Sequence, residues 1–137
     1  MPFHLEVLPS KELFKDVFVR LTKGNELTLN YFELKSVTVK IPSHEHPVEH
    51  LVVVLEGEME FTFDNQKLLL KKSEFLFVPA KKRHTARVVQ APVKAVEIYN
   101  NIEDQYYERE MMEERGIQIK EAKFVCRNFF VASNRER

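Results

Sequence analysis

From Phe18 to Tyr99 apolar side chains recur at every second position in short bursts, the period of strands, with turn residues between the bursts. Val17–Leu21 and Leu27–Leu34 flank Lys23-Gly24-Asn25-Glu26, where Gly and Asn offer the positive φ of a tight hairpin. Val37, Val39 and Ile41 alternate with Thr38 and Lys40, which predicts a strand buried on one side; Pro42 ends it, having no N–H to donate. Leu51–Leu55 is continuously apolar and rich in Val, as expected of a strand covered on both faces. Met59, Phe61 and Phe63 alternate with Glu58, Glu60 and Thr62; Asp64-Asn65 makes the turn and Lys67–Leu70 returns. Phe75–Val78, Thr85–Val89 and Val93–Tyr99 complete the series. Several short strands at close spacing predict an all-β sandwich or small barrel.

After Asn100 the character changes. Asn101 is placed to cap a helix at Ile102, with Glu103 and Asp104 in its first turn and Arg115-Gly116 at its end. Ile102, Tyr106, Tyr107 and Met111 give it an apolar stripe, and Ile117–Ile119 and Lys123–Ala132 read as further strands. The expected organisation is a β domain over residues 1–100 and a helical and strand extension of the same domain over 101–137. With 137 residues, 44% of them apolar, the chain suffices for one core. Its 21 basic and 21 acidic residues leave no net field to attract nucleic acid or anionic lipid. The longest apolar run, Leu51–Leu55, is far short of the roughly twenty residues of a membrane span. Met1–Glu6 lacks a basic head leading into an apolar stretch, and a single cysteine, Cys126, suits a reducing compartment. A cytoplasmic protein is expected.

The histidines carry the chemical information. Four of the five fall between His44 and His84, three of them in His44-Glu45-His46-Pro47-Val48-Glu49-His50. Residues two apart on a strand point the same way, so His44 and His46 project together. Pro47 turns the chain, and His50 then heads an apolar row with Val52 and Val54. Several converging neutral imidazoles are what a divalent transition metal requires. His4, standing alone, reads as an ordinary surface residue.

The stretch Pro42-Ser43-His44-Glu45-His46-Pro47-Val48-Glu49-His50, running into Leu51-Val52-Val53-Val54-Leu55-Glu56-Gly57-Glu58, resembles the first motif of the cupin superfamily. Phe77-Val78-Pro79-Ala80-Lys81-Lys82-Arg83-His84 resembles the second. The resemblance covers residues 42–88 in its motifs and roughly 30–100 in its strands. It implies a cupin double-stranded β-helix, a jelly-roll barrel, followed here by the helix and strand extension. It also implies a metal held by His44, His46, His50 and His84, and a homodimer. Three departures stand out. The third ligand position, usually Glu, is His50, as in a four-histidine subgroup of single-barrel cupins. Lys81 stands where the second motif usually has Gly, at a cost of about 1 kcal/mol if φ is positive there. Ser73 replaces the Gly before the preceding strand.

Four neutral ligands leave the full charge on a divalent ion, favouring an anionic substrate. The expected cofactor is therefore one such transition metal; the resemblance favours manganese or iron, and nickel and zinc also accept imidazole. An octahedral ion would keep two open positions, suiting an enolisable small molecule together with O₂, which points to a dioxygenase-type oxidoreductase. A non-catalytic metal- or small-molecule-binding cupin and a metal-dependent sugar isomerase or epimerase are the alternatives. Alternation puts Val52 and Val54 on His50's side and Ala86 and Val88 on His84's side, so these four are expected to wall the pocket. No acid or base is identified: Glu49 should face solvent, and Lys81-Lys82-Arg83 reads as an exposed basic turn with the option of drawing an anion to the mouth.

Overall fold

Two long strands carry the architecture of the computed structural model, which describes residues 2–104. After a single 3₁₀ turn at Leu5–Val7 come β1 (Ser10–Phe14), β2 (Val17–Lys23), β3 (Leu27–Leu34), β4 (Lys40–His44), β5 (His50–Phe63), β6 (Gln66–Leu70), β7 (Phe75–Val78) and β8 (His84–Asn100). The pairs expected at 51–55 and 58–63, and at 85–89 and 93–99, are each one continuous strand. Gly57 makes this feasible in β5: its φ is +78°, and a Cβ there would lie 2.3 Å from the Pro92 carbonyl oxygen and 2.6 Å from that of Gln90. Only a residue without a side chain lets β5 and β8 stay paired through this irregularity.

The register then divides each long strand between two partners. The first half of β5, from His50 to Val54, pairs the end of β8 and also β7, while β3 lies on the other side of that end of β8. The second half of β5, from Glu58, pairs the start of β8 and β6, and β4 flanks that start through Ile41↔Ala86 and His44↔His84. Side chains from both halves, among them Phe32, Val54, Val93, Phe61 and Val88, form one buried cluster. The two halves therefore fold over each other with the core between them.

The closed jelly-roll barrel expected from the resemblance is corrected by this topology. The hydrogen-bonded path runs β1-β2-β3-β8-β5-β6, with β4 added on β8 and β7 on β5, and it does not close on itself. The outer strands explain why. β4 contains Pro42, which has no N–H to offer, and slips register between Ile41 and His44; β1 slips between Glu12 and Phe14. The expected helix and strand extension lies outside the described residues beyond Asp104, as do Tyr106, Tyr107, Met111 and Cys126.

Other local expectations divide. Asp64 and Asn65, both at positive φ, turn β5 into β6. Gly24 and Asn25 join β2 to β3 without positive φ, closed by Gly24 N–H donating to the Leu27 carbonyl. Val39 and Ile41 are buried, but Val37 is exposed in the turn before β4. Leu51–Leu55 is not covered on both faces: Val52 and Val54 are buried and Leu55 is exposed. Among the described residues, no helix is long and apolar enough to cross a membrane.

Candidate metal centre

All four clustered histidines are buried, His50 completely. β4 and β8 set His44 directly opposite His84, with ring centroids 4.3 Å apart. His46 leaves β4 two residues after His44 and is tied from outside, where Lys81 N–H donates to the His46 carbonyl at 2.6 Å. Its ring lies 4.9 Å from that of His44, 5.0 Å from that of His84 and 3.7 Å from that of His50, stacked on the last. His44, His46 and His84 can each offer a donor atom within 4.8 Å of the others.

The outer hydrogen bonds prepare two of these rings. A carbonyl oxygen only accepts, so His44 Nδ1 donates to the Pro42 carbonyl at 2.7 Å and His84 Nδ1 to the Lys82 carbonyl at 2.8 Å. Both rings are thereby set as the tautomer that carries its proton on Nδ1 and leaves Nε2 unprotonated, the arrangement that orients metal-binding histidines. Burial, with the neighbouring His84 adding to it, lowers the pKa of His44 to about 4; burial also lowers that of His84. Both are neutral, ligand-ready imidazoles at neutral pH.

His50 is different, because it brings carboxylates to the cluster. Its Nε2 donates to Glu103 Oε1 at 2.7 Å, and its Nδ1 lies 3.3 Å from Glu97 Oε2, an ion-pair distance without hydrogen-bond alignment. Burial alone would lower its pKa, but the charges of Glu97 and Glu103 and the hydrogen bond to Glu103 outweigh it and raise it to about 9. Tyr99, opposite His50 across the β5–β8 pairing, stacks on the ring at 4.3 Å. His46, His50 and Glu103 form a second group with donor atoms within 4.8 Å of one another. The centre is thus a histidine and glutamate cluster.

Neither glutamate was anticipated. Glu97 had a readable signal: Val93, Ala95, Glu97 and Tyr99 share one face of β8, and Val93 and Ala95 are buried, so a carboxylate stands on the core side. Glu103 had none, since an acidic residue after a helix cap reads locally as a solvated one.

A pocket of about 490 Å³, partly open to solvent, adjoins the cluster. His44, His84 and Glu97 supply its polar wall, and Phe32, Leu34, Ile41, Met59, Phe61 and Val78 much of the apolar remainder. All four expected wall residues belong to the buried core cluster, and of them Val52 and Ala86 line the pocket. Glu49 is exposed. In the basic turn, Lys82 pairs with Asp64, and Arg83 reaches Ser43 and Glu45, so these two charges brace neighbouring loops.

The fold has known counterparts. The chain is similar to the structure of KdgF from Halomonas sp. (12% identity, 72% of this chain and 90% of that one, TM-score 0.66). It is also similar to the polyketide cyclase RemF from Streptomyces resistomycificus (19%, 73% and 78%, 0.63) and to an RmlC-like cupin from Shewanella frigidimarina NCIMB 400 (17%, 69% and 85%, 0.62). At these identities the likeness concerns the fold. The sequence matches none of the curated proteins. Residues 30–99, just over half of the chain, match the family model described as the cupin domain, with the histidine cluster inside that span. The chain belongs to the cupin family.

Proposed function

We propose that this cupin holds one divalent transition metal through His44, His46 and His84, with His50 beside them, and catalyses proton transfer at a carbon next to a carbonyl group in a small, largely apolar molecule. The observation that carries this reading is the position of Glu97, which lines the same pocket as His44 and His84. The donor set fits a metal: three buried imidazoles converge, two of them with the Nδ1 proton committed outward. Nitrogen donors with a carboxylate nearby suit zinc, manganese, iron and nickel alike. When bound, such an ion polarises a carbonyl oxygen and acidifies the adjacent C–H.

The chain's own residues supply the rest. Glu97 accepts the proton from carbon and returns it on the same face to a neighbouring carbon, which gives isomerisation without any oxidant. His50, charged and 3.3 Å from Glu97, holds that carboxylate in place. Phe32, Leu34, Ile41 and Phe61 exclude water and favour a hydrocarbon or aromatic body. A sugar fits this wall poorly, because each hydroxyl buried without a partner costs about 1–3 kcal/mol.

The dioxygenase-type oxidoreductase is set aside. It rested on an all-imidazole centre, whereas two carboxylates stand against His50, and the similar folds include a cyclase. A second reading, a binding protein without turnover, is favoured by Glu103, a carboxylate of the chain itself standing among the histidines. Deuterium exchange separates the two. Metal-loaded protein in ²H₂O should label the carbon beside the carbonyl in some members of a panel of aryl and alkyl ketones and hydroxyketones, and Glu97→Gln should abolish the labelling. Tight metal binding with no labelling of any compound would leave the binding role.

A further inference from the structure

We infer that Glu103 is a carboxylate ligand of the metal centre, delivered from outside both sequence motifs by a latch between the turn after β8 and the β2–β3 hairpin. This rests on the reading that the histidine cluster holds a metal.

The latch is built from four contacts. Asn101 N–H donates to the Glu26 carbonyl at 2.9 Å, and Asn101 Nδ2 reaches the carbonyls of Gly24 and Asn25 at 3.2 and 3.4 Å. Lys23 pairs with Asp104. Asn100 Oδ1 accepts from Ile102 N–H at 2.9 Å, and Asp104 N–H donates to the Asn101 carbonyl at 3.1 Å, which tightens the turn itself. Residues on both sides of Glu103 are thereby held, and Glu103 points inward with 1% of its surface exposed.

Its carboxylate meets two histidines at once. Glu103 Oε1 lies 2.7 Å from His50 Nε2 and 3.8 Å from His46 Nδ1, and these three residues form the second group of donors within 4.8 Å. His46 belongs to both groups, so the carboxylate adjoins the three-histidine set through a shared ring. Burying a carboxylate this fully demands a cation, and a divalent ion among these donors satisfies it better than one imidazolium. The consequence is electrostatic. His50 replaces the acidic ligand usual at the third position of the first motif, and Glu103 returns one negative charge to the centre from another part of the chain. The ion then has a lower net charge than an all-histidine shell would leave it, and is a milder Lewis acid.

Cobalt(II) titration of the full-length protein tests this, reading both the dissociation constant and the visible d–d absorption, with the wild type, Glu103→Gln and Lys23→Gln compared. Glu103→Gln should weaken binding by at least about tenfold and change the absorption, since one oxygen donor is lost. Lys23→Gln, remote from the histidines, should weaken binding in the same direction by a smaller factor, and it decides the matter if Glu103→Gln does not fold. Unchanged affinity and spectrum in the folded variant, or weaker binding with an unchanged spectrum, would overturn the assignment. A wild type that binds no cobalt or zinc would instead overturn the metal reading beneath it.

Discussion

Lys81 occupies a conformation that suits glycine, with φ at +62°, and Ser73 does the same at +68°. Both stand where the cupin pattern has Gly, so the backbone shape is retained although the residue is not. The lysine is held by its N–H bond to the His46 carbonyl, and the turn still delivers His84 opposite His44. Lys81→Gly should therefore stabilise the protein by about 0.5–1 kcal/mol in urea denaturation, relief of the left-handed strain exceeding the entropy cost of glycine. A loss of stability would mean that the lysine side chain contributes more than its backbone costs. His50 allows a second prediction. Its folded pKa of about 9 lies above the ordinary 6.5, so its contribution is complete below pH 6.5 and disappears as pH rises through 9. Between pH 6.5 and 9.5 the metal-free wild type should lose more stability than metal-free His50→Gln. Parallel pH curves for the two proteins would contradict the ion pairs drawn to Glu97 and Glu103.

The two long strands depend on a single permissive position. β5 and β8 stay paired past Gly57 because nothing projects toward the carbonyls of Gln90 and Pro92. Gly57→Ala should cost at least about 2 kcal/mol, from positive φ and a contact that backbone atoms cannot yield, measured by thermal or urea unfolding. A change below about 0.5 kcal/mol would show that the strands slide past each other freely. The outer strands behave otherwise. β6 and β7 expose Leu68, Leu69, Phe75 and Phe77, so their apolar residues were sound evidence for strands and poor evidence for burial. Leu51–Leu55 carries the same lesson within β5, where unbroken apolar sequence has one half-covered face.

The centre joins both halves of the molecule: His44 and His84 come from the β4–β8 pairing, His50 from the start of β5, and Glu103 from the turn after β8. A ligand spanning these elements stabilises the whole fold by mass action. At a free concentration one hundred times its dissociation constant, zinc or manganese should add about 2.7 kcal/mol and raise the melting temperature; chelation should reverse this. His84→Ala should remove the increment while leaving the metal-free fold intact. An equal rise in His84→Ala would place the ion elsewhere.

Strand periodicity and the spacing of His44, His46 and His50 were legible from the chain because both are local: a period of two sets the side on which neighbours project. So was the Asp64-Asn65 turn, whose residues tolerate positive φ better than most. Pairing across the sheet is long-range, and no local period encodes it. That is why the sheet's failure to close, the continuity of β5 through Gly57 and the opposition of His44 to His84 emerged only with the fold. Glu97 stands between, written on the core face of its strand yet given a purpose only by His50. Glu103 belongs wholly to tertiary structure, since contacts between segments eighty residues apart turn an ordinary acidic side chain into a buried partner of two histidines.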